Sequence, residues 1–137
     1  MKRGREITIL LVDDESANRE LYGDILGDLG FKTLEEADGE SALSVVRGGA
    51  EIDLVIADYR MPRMDGLEFI ESLRQLLPTV PVIMVTAFAS IESYLQSYDL
   101  GVFEYINKPF SKSEFERIVK AALRAPGASK HSRKKIA

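Results

Sequence analysis

Four short apolar segments of the sequence each end in polar residues whose side chains could hold a metal ion or bind phosphate. Two adjacent carboxylates follow the first segment, a third carboxylate follows the second, a hydroxyl follows the third and an ammonium follows the fourth: Asp13 and Asp14, Asp58, Thr86, and Lys108. Taken singly, each is more simply explained as a loop residue, a helix cap or a turn residue. Because chance rarely puts these chemistries at four equivalent positions, we interpret them as one site.

The residue types suit transfer of a phosphoryl group to a carboxylate. Two carboxylates about 4 Å apart repel by on the order of 4 kcal/mol at an effective dielectric near 20, so three acids together require a cation. A hard divalent ion with oxygen ligands, such as Mg²⁺, meets that need, and the chain has no Cys and no second His for a zinc site. Asp58 can then stay ionised as the nucleophile, while Lys108 and the Thr86 hydroxyl contact the phosphoryl oxygens. The expected product is an aspartyl phosphate.

The apolar segments alternate with stretches of helical period, a pattern typical of a parallel sheet with helices on both faces. The predicted strands span residues 7–12, 31–35, 54–57, 82–85 and 102–106. Between them, apolar residues that recur every three or four positions predict helices. These residues are Leu21, Ile25 and Leu29; Leu67, Ile70, Leu73 and Leu77; Ile91, Tyr94, Leu95 and Tyr98; and Phe115, Ile118, Val119 and Ala122, with a weaker helix over residues 38–47 and a capping box at Ser111 and Glu114. The sequence therefore predicts five βα units, and ligands bind such sheets at the carboxyl ends of the strands.

The length and composition are those of one globular domain. The chain has 137 residues, of which 45% are apolar and 29% charged. We expect a domain over residues 1–124 and a flexible basic tail over residues 125–137, where Ala, Pro, Gly and Ser precede the basic residues. No apolar stretch approaches the roughly 20 residues that span a bilayer, and no cysteine requires an oxidising compartment. We therefore expect a cytoplasmic location and no membrane partner.

Charge is distributed unevenly along the chain. The net charge is −4, but residues 125–137 hold four basic side chains and no acid, so residues 1–124 carry −8. Phosphate backbones are bound by clustered Lys and Arg, which an acidic body lacks. We expect no direct nucleic-acid binding by the domain itself.

The polar residues also lie within four ordered motifs. These are Val-Asp-Asp-Glu at residues 12–15, Asp-Tyr-Arg-Met-Pro-Arg-Met-Asp-Gly at 58–66, Val-Thr-Ala at 85–87, and Gly-Val-Phe-Glu-Tyr-Ile-Asn-Lys-Pro-Phe at 101–110. The motifs resemble the signature segments of the response-regulator receiver domains of two-component signalling, and the resemblance covers about residues 6–124. It implies a flavodoxin-like (βα)5 fold, doubly wound, with strand order 2-1-3-4-5. It also implies a sensor histidine kinase or phosphotransfer protein as phosphoryl donor.

The resemblance implies a role for each matching position. Asp58 matches the phosphoacceptor, Asp13 and Asp14 match the acidic pair that holds Mg²⁺, and the backbone carbonyl of Arg60 falls where a third protein ligand of the metal is supplied. Thr86 and Lys108 match the two residues that contact the phosphoryl group. Tyr105 matches an aromatic switch that turns inward when Thr86 moves toward the phosphate, and the Lys108–Pro109 peptide bond is usually cis in this family.

The implied output surface is the face built by the fourth helix, the fifth strand and the fifth helix. Tyr94, Tyr98, Phe103 and Tyr105 would lie there, although Tyr94 and Tyr98 could equally be core residues at helical spacing. The positions two residues beyond Asp58 and Thr86 are Arg60 and Phe88. Both side chains are large and neither is an acid or an amide, so we expect them to shield the aspartyl phosphate from water, or alternatively to point into solvent without effect.

Other classes of protein remain as alternatives. A phosphatase of the haloacid-dehalogenase type would carry a second acid two residues after its nucleophile, where this chain has Arg60. A flavin- or nucleotide-binding module would need a glycine-rich loop after the first strand, where this chain has acids. An unphosphorylated scaffold of the same fold is the third alternative. We favour a switch that catalyses its own phosphorylation and slow dephosphorylation over a conventional enzyme, and we expect its output to go to a downstream protein target or an output domain.

Overall fold

The computed structural model describes residues 6–125, and within them five strands alternate with five helices. The elements are β1 (Thr8–Val12), α1 (Ser16–Asp28), β2 (Lys32–Glu36), α2 (Gly39–Arg47), β3 (Leu54–Asp58), α3 (Gly66–Leu76), β4 (Val82–Thr86), α4 (Ile91–Asp99), β5 (Glu104–Asn107) and α5 (Lys112–Arg124). All strand pairs are parallel, in the order β2-β1-β3-β4-β5. The predicted flavodoxin-like (βα)5 fold is confirmed.

The sheet separates two hydrophobic layers. Every residue of β1, β3 and β4 is buried, and successive side chains point to opposite faces because side chains alternate along a strand. Ile9 and Leu11 therefore pack with Phe115 of α5, while Leu10 and Val12 pack with Phe69 of α3. Burying each such side chain contributes roughly 1.5–3 kcal/mol to the stability of the fold. The three central strands therefore form a rigid support for the residues at their carboxyl ends.

Helix ends near the carboxyl edge of the sheet are fixed by capping side chains. The Asp65 carboxylate accepts a hydrogen bond from the Glu68 N–H, and the Glu68 carboxylate accepts one from the Asp65 N–H, which closes a capping box on α3. At the start of α5, Ser111 accepts from the Glu114 N–H, which is the serine half of the predicted capping box. These caps fix where the loops after the strands must end.

The helix α4 turns its apolar residues to solvent. Ile91 is 79% exposed, Leu95 54% and Tyr98 71%, whereas the buried residues of this helix are Ser93 and Ser97. The periodicity predicted the helix correctly, but an apolar stripe gives only the angular spacing and not the side that faces the core. The alternative that Tyr98 is a core residue is therefore wrong, because its side chain lies on the surface.

Two further expectations concern the helices and the chain ends. In α1, Leu21 is exposed and the core is formed by Tyr22, Ile25 and Leu26. Within residues 6–125, no helix is both long enough and apolar enough to cross a membrane. The predicted basic tail lies outside the described residues apart from Ala125, the C-cap of α5.

Candidate functional site

Three carboxylates meet at the carboxyl edge of the sheet. Asp13 and Asp14 follow β1, and Asp58 is the last residue of the neighbouring strand β3. Each offers one carboxylate oxygen, and the three oxygens lie within 4.8 Å of one another. Asp13 and Asp58 are buried, while Asp14 is exposed. The structure therefore brings together the three acids that the sequence placed at equivalent strand ends.

Lys108, at the end of β5, is the cation that faces these acids. Its Nζ donates to Oδ2 of Asp58 over 2.9 Å and lies 3.6 Å from Oδ2 of Asp13. Burial alone would lower the pKa of Lys108, but the hydrogen bond and charge of Asp58 outweigh it and raise the pKa above its ordinary value. Lys108 is thus held charged, and it neutralises one of three carboxylates.

Asp13 is held by hydrogen bonds from the loop that follows it. The backbone N–H of Glu15 donates to Oδ1 over 2.9 Å, and the Asn18 amide donates to Oδ2 over 3.2 Å. Burial raises the pKa of Asp13 and the charge of Asp58 adds to the rise, while the Glu15 N–H and Lys108 oppose it; the net direction is upward. The site therefore carries excess negative charge that its own residues do not fully offset.

The residues present fit a divalent cation such as Mg²⁺. Three ionised carboxylates and one ammonium leave a net charge of about −2, the charge that such an ion balances. All three side chains offer hard oxygen ligands at spacings that one ion can bridge. An acidic pocket whose ligands and charge suit such an ion is therefore present.

The β3–α3 loop aims Asp58 through two backbone contacts. The N–H of Arg60 donates to Oδ1 of Asp58 over 3.1 Å, so both carboxylate oxygens of Asp58 have a donor. A Cβ at Gly66 would lie 2.6 Å from the Asp58 carbonyl oxygen and 2.8 Å from the Tyr59 Cα. Only glycine permits that approach, which gives a structural role to the glycine that closes the Met-Asp-Gly motif. The sequence pattern did not predict this role.

Thr86 ends β4 beside Lys108. Its side chain is fully buried, and its Oγ1 accepts a hydrogen bond from the Phe88 N–H over 3.0 Å. The Thr86 carbonyl accepts from the Lys108 N–H over 2.8 Å, and the Lys108–Pro109 peptide bond is cis, as the family resemblance implied. Thr86 thus lies on the strand between those of Asp58 and Lys108.

Arg60 and Phe88 contact each other across the loops that follow β3 and β4. The guanidinium carbon of Arg60 lies 4.1 Å from the centroid of the Phe88 ring, a distance typical of a cation–π contact. Phe88 is 54% exposed in spite of this contact. The two large side chains that the sequence singled out therefore form one pair next to the acids.

The fold and the residues at the carboxyl edge of its sheet match a known family of domains. The family described as "Response regulator receiver domain" matches residues 9–120. This chain belongs to the response-regulator receiver domains of two-component systems.

Individual relatives agree with this assignment. Chemotaxis protein CheY-3 of Vibrio cholerae is 38% identical over 110 residues, which are 78% of this chain and 84% of that protein. Regulatory protein AtoC of Escherichia coli K12 is 35% identical over 91% of this chain but only 27% of its own length. The probable transcriptional regulator ycf27 of Porphyridium aerugineum is 36% identical over 85% of this chain and 48% of its own. This chain spans half or less of the latter two relatives.

Solved structures show the same fold. A CheY-like response regulator receiver domain protein from Methanospirillum hungatei JF-1 matches 92% of this chain and 98% of its own, with a TM-score of 0.85 and 28% identity. Chemotaxis protein CheY4 of Vibrio cholerae matches 86% of this chain and 99% of its own, with a TM-score of 0.80 and 28% identity. The five-stranded architecture is therefore that of CheY-like receivers.

Proposed function

We propose that this receiver domain is a phosphorylation switch whose phosphoacceptor is Asp58. The observation that supports this most is the pairing of Asp58 with Lys108 at 2.9 Å beside two further carboxylates within 4.8 Å. A carboxylate in that position is fixed by the hydrogen bonds from Lys108 and the Arg60 N–H, and it lies beside the positive charge that a phosphoryl group requires. The donor would be a sensor histidine kinase or a phosphotransfer protein, and the site of action the cytoplasm.

Asp13, Asp14, Asp58 and the backbone carbonyl of Arg60 would hold the metal ion. When bound, Mg²⁺ would supply positive charge that offsets carboxylate repulsion and polarises the phosphoryl oxygens. Asn18 and the Glu15 N–H orient Asp13 through its two oxygens, so they position this metal ligand without touching substrate. The ligand set is all oxygen, which favours Mg²⁺ over zinc.

The residues of the chain would perform the transfer as an in-line displacement. A carboxylate oxygen of Asp58 attacks phosphorus, a new O–P bond forms, and the N–P bond to the donor histidine breaks with its electron pair left on the nitrogen. Lys108 already donates to Oδ2 of Asp58. As negative charge builds up on the phosphoryl oxygens, the ammonium can donate to one of them instead. The Thr86 hydroxyl is the second group that would meet those oxygens.

Intact-mass spectrometry tests the proposal directly. Incubation with acetyl phosphate and Mg²⁺ should add the mass of one phosphoryl group, and chelation of the metal should prevent the addition. A protein that remains unmodified under both conditions, and with a panel of histidine kinases, would contradict the assignment of a phosphorylation switch.

The output surface proposed for this switch is the face of α4, β5 and α5. It carries the exposed apolar residues of α4. A groove of about 590 Å³ is lined by Tyr94 and Tyr98 of α4, by Tyr105 of β5 and by residues 78–81 before β4, among others. Apolar side chains this exposed on one helix are typical of a surface that meets a partner.

We expect the amide chemical-shift changes on phosphorylation to be largest within residues 88–110, as measured by nuclear magnetic resonance on the labelled protein. Changes that spare this range would place the output elsewhere.

The aspartyl phosphate is expected to be long-lived for its class. Water must approach phosphorus from the side opposite the Asp58 oxygen, and the Arg60–Phe88 pair lies on the loops that border this approach. A ring cannot orient a water molecule by hydrogen bonding, and a guanidinium offers no acceptor for the water proton. Arg60→Asn and Phe88→Glu should therefore each speed dephosphorylation by about fivefold, the factor for losing an exposed cation–π contact of ~1 kcal/mol.

The loss of phosphate is measured by following the intact mass after the donor is removed. Arg63→Asn and Ile91→Glu are matched controls, because Arg63 is an exposed arginine of the same loop that pairs with Asp38, and Ile91 is an exposed apolar residue just beyond Phe88. Both controls should keep the wild-type rate. Unchanged or slower dephosphorylation in the Arg60 and Phe88 variants would remove the shielding role of the pair.

A further inference from the structure

The side of α4 that packs against the rest of the protein carries buried serine hydroxyls, and one of them hydrogen-bonds to β5. Ser93 is 3% exposed and Ser97 1% exposed, although both belong to a helix whose apolar residues are in solvent. A buried hydroxyl needs a hydrogen-bond partner to offset its lost hydration. Ser97 donates to the carbonyl of Tyr94 in its own helix, but Ser93 bonds in addition to the hydroxyl of Tyr105 on β5.

Ser93 also belongs to the capping box that begins α4. The Ser90 hydroxyl accepts from the Ser93 N–H over 3.0 Å, and Oγ of Ser93 accepts from the Ser90 N–H over 3.3 Å and lies 3.2 Å from the Ser90 carbonyl oxygen. A serine hydroxyl has one proton and two lone pairs. The Ser90 hydroxyl also donates to Oγ of Ser93 over 3.0 Å. When the Ser90 N–H and hydroxyl take both lone pairs of Ser93, its own proton can be donated to the Tyr105 hydroxyl oxygen. When that proton goes to the Ser90 carbonyl and the Ser90 hydroxyl turns away, one lone pair can accept the proton of the Tyr105 hydroxyl.

We propose that Ser93 is a positioning residue for Tyr105 and that their hydroxyl pair couples the orientation of the Tyr105 ring to the N-cap of α4. The inference deepens the proposed function, because Tyr105 is the switch residue of that function. When the ring leaves Ser93, the capping box loses a partner and the first turn of α4 loosens. Ile91 and Tyr94 lie in that turn, and Ile91 is the most exposed apolar residue of α4, so ring movement changes an exposed part of the output surface.

The opposite end of α4 is held independently of Tyr105. Arg74 of α3 donates to the carbonyl of Leu100 over 2.9 Å and to that of Gly101 over 3.1 Å. Tyr105 also meets Tyr94 edge to face, with ring centroids 5.7 Å apart. The contacts of Tyr105 with α4 are therefore concentrated on its first turn, so a ring movement should be felt there and not at the end that Arg74 clamps.

A double-mutant cycle isolates the coupling from the capping that Ser93 performs alone. Ser93→Ala, Tyr105→Phe and the double variant are unfolded in urea without phosphodonor. The two changes should be non-additive by roughly fivefold in the unfolding equilibrium constant, the factor for one hydrogen bond. Ser97→Ala is the matched control, because the hydroxyl of this buried serine donates to the Tyr94 carbonyl of its own helix, and its cycle with Tyr105→Phe should be additive.

Amide hydrogen exchange gives a readout that does not require Ser93 to be changed. Tyr105→Phe should speed exchange at the Ser93 and Tyr94 amides, while the amides of Leu100 and Gly101, at the end of α4 that Arg74 holds, keep their rates.

Ser93→Thr, which keeps the hydroxyl, should restore in the mutant cycle the coupling that Ser93→Ala removes. Additive cycles together with unchanged exchange in the first turn would overturn the inference. Because no phosphate is used, that failure would leave the proposed phosphorylation of Asp58 untouched, and a failure to phosphorylate would leave the cycle untouched.

Discussion

Asp58→Asn is expected to abolish phosphate uptake while leaving the fold intact. The amide is nearly the same size as the carboxylate, and its one oxygen can still accept from either Lys108 or the Arg60 N–H, which donate to different oxygens of Asp58. It is no nucleophile toward phosphorus under these conditions, so no O–P bond forms. The change also removes one of three mutually repelling charges, and the free energy of unfolding should stay within about 1 kcal/mol of wild type.

The measurement is intact mass after acetyl phosphate and Mg²⁺, beside an unfolding titration of each variant. Asp53→Asn is the matched control: Asp53 is also buried and its carboxylate accepts from the Thr8 N–H, but it precedes β3 and so lies at the opposite edge of the sheet. The control should take up one phosphoryl group like wild type. Undiminished labelling of Asp58→Asn would exclude Asp58 as the phosphoacceptor.

The architecture was predictable because buried parallel strands leave a strong local signal. Strands β3 and β4 are apolar up to the polar residue that ends each of them, and β1 is apolar from Ile9 to Val12, directly before Asp13. The sequence alone therefore indicated both the strands and the edge where Asp13, Asp58 and Thr86 would meet. Strand β2 was the weakest prediction because it lacks a continuous apolar run. It lies at the edge of the sheet and is only partly buried, so its residues need not be apolar.

The orientation of α4 was not predictable from periodicity. Apolar residues at helical spacing usually face a core, but here Ser93 and Ser97 occupy that side because small hydroxyl side chains let α4 pack close while bonding to neighbours. The Ser93–Tyr105 and Arg60–Phe88 contacts are tertiary, between residues 12 and 28 positions apart. No local pattern encodes such contacts, although the large side chains at positions 60 and 88 did indicate where to look.

Changing both Asp13 and Asp14 to Asn is expected to stop metal-dependent phosphorylation. In wild type three carboxylates face one ammonium, whereas in the double variant Asp58 and Lys108 alone balance each other, so the site no longer attracts a divalent cation. Phosphate uptake should fall on the order of 100-fold or more, since metal polarisation of a phosphoryl group is worth several kcal/mol. Mg²⁺ should raise the thermal midpoint of wild type and not of the variant, because only a ligand of the native state stabilises it.

The same variant should be more stable than wild type when metal is absent. Burial raises the pKa of Asp13, so the native carboxyl holds its proton more tightly than the unfolded one, and stability falls as pH rises through the range above the ordinary value. Asparagine does not titrate. The fall in stability that Asp13 causes as pH rises should therefore be absent from the pH dependence of unfolding of the variant. Asp24→Asn with Asp28→Asn, two exposed acids of α1, is the control with an equal change of charge. If the Asp13 and Asp14 variant takes up phosphate at the control's rate, these two residues do not hold the metal.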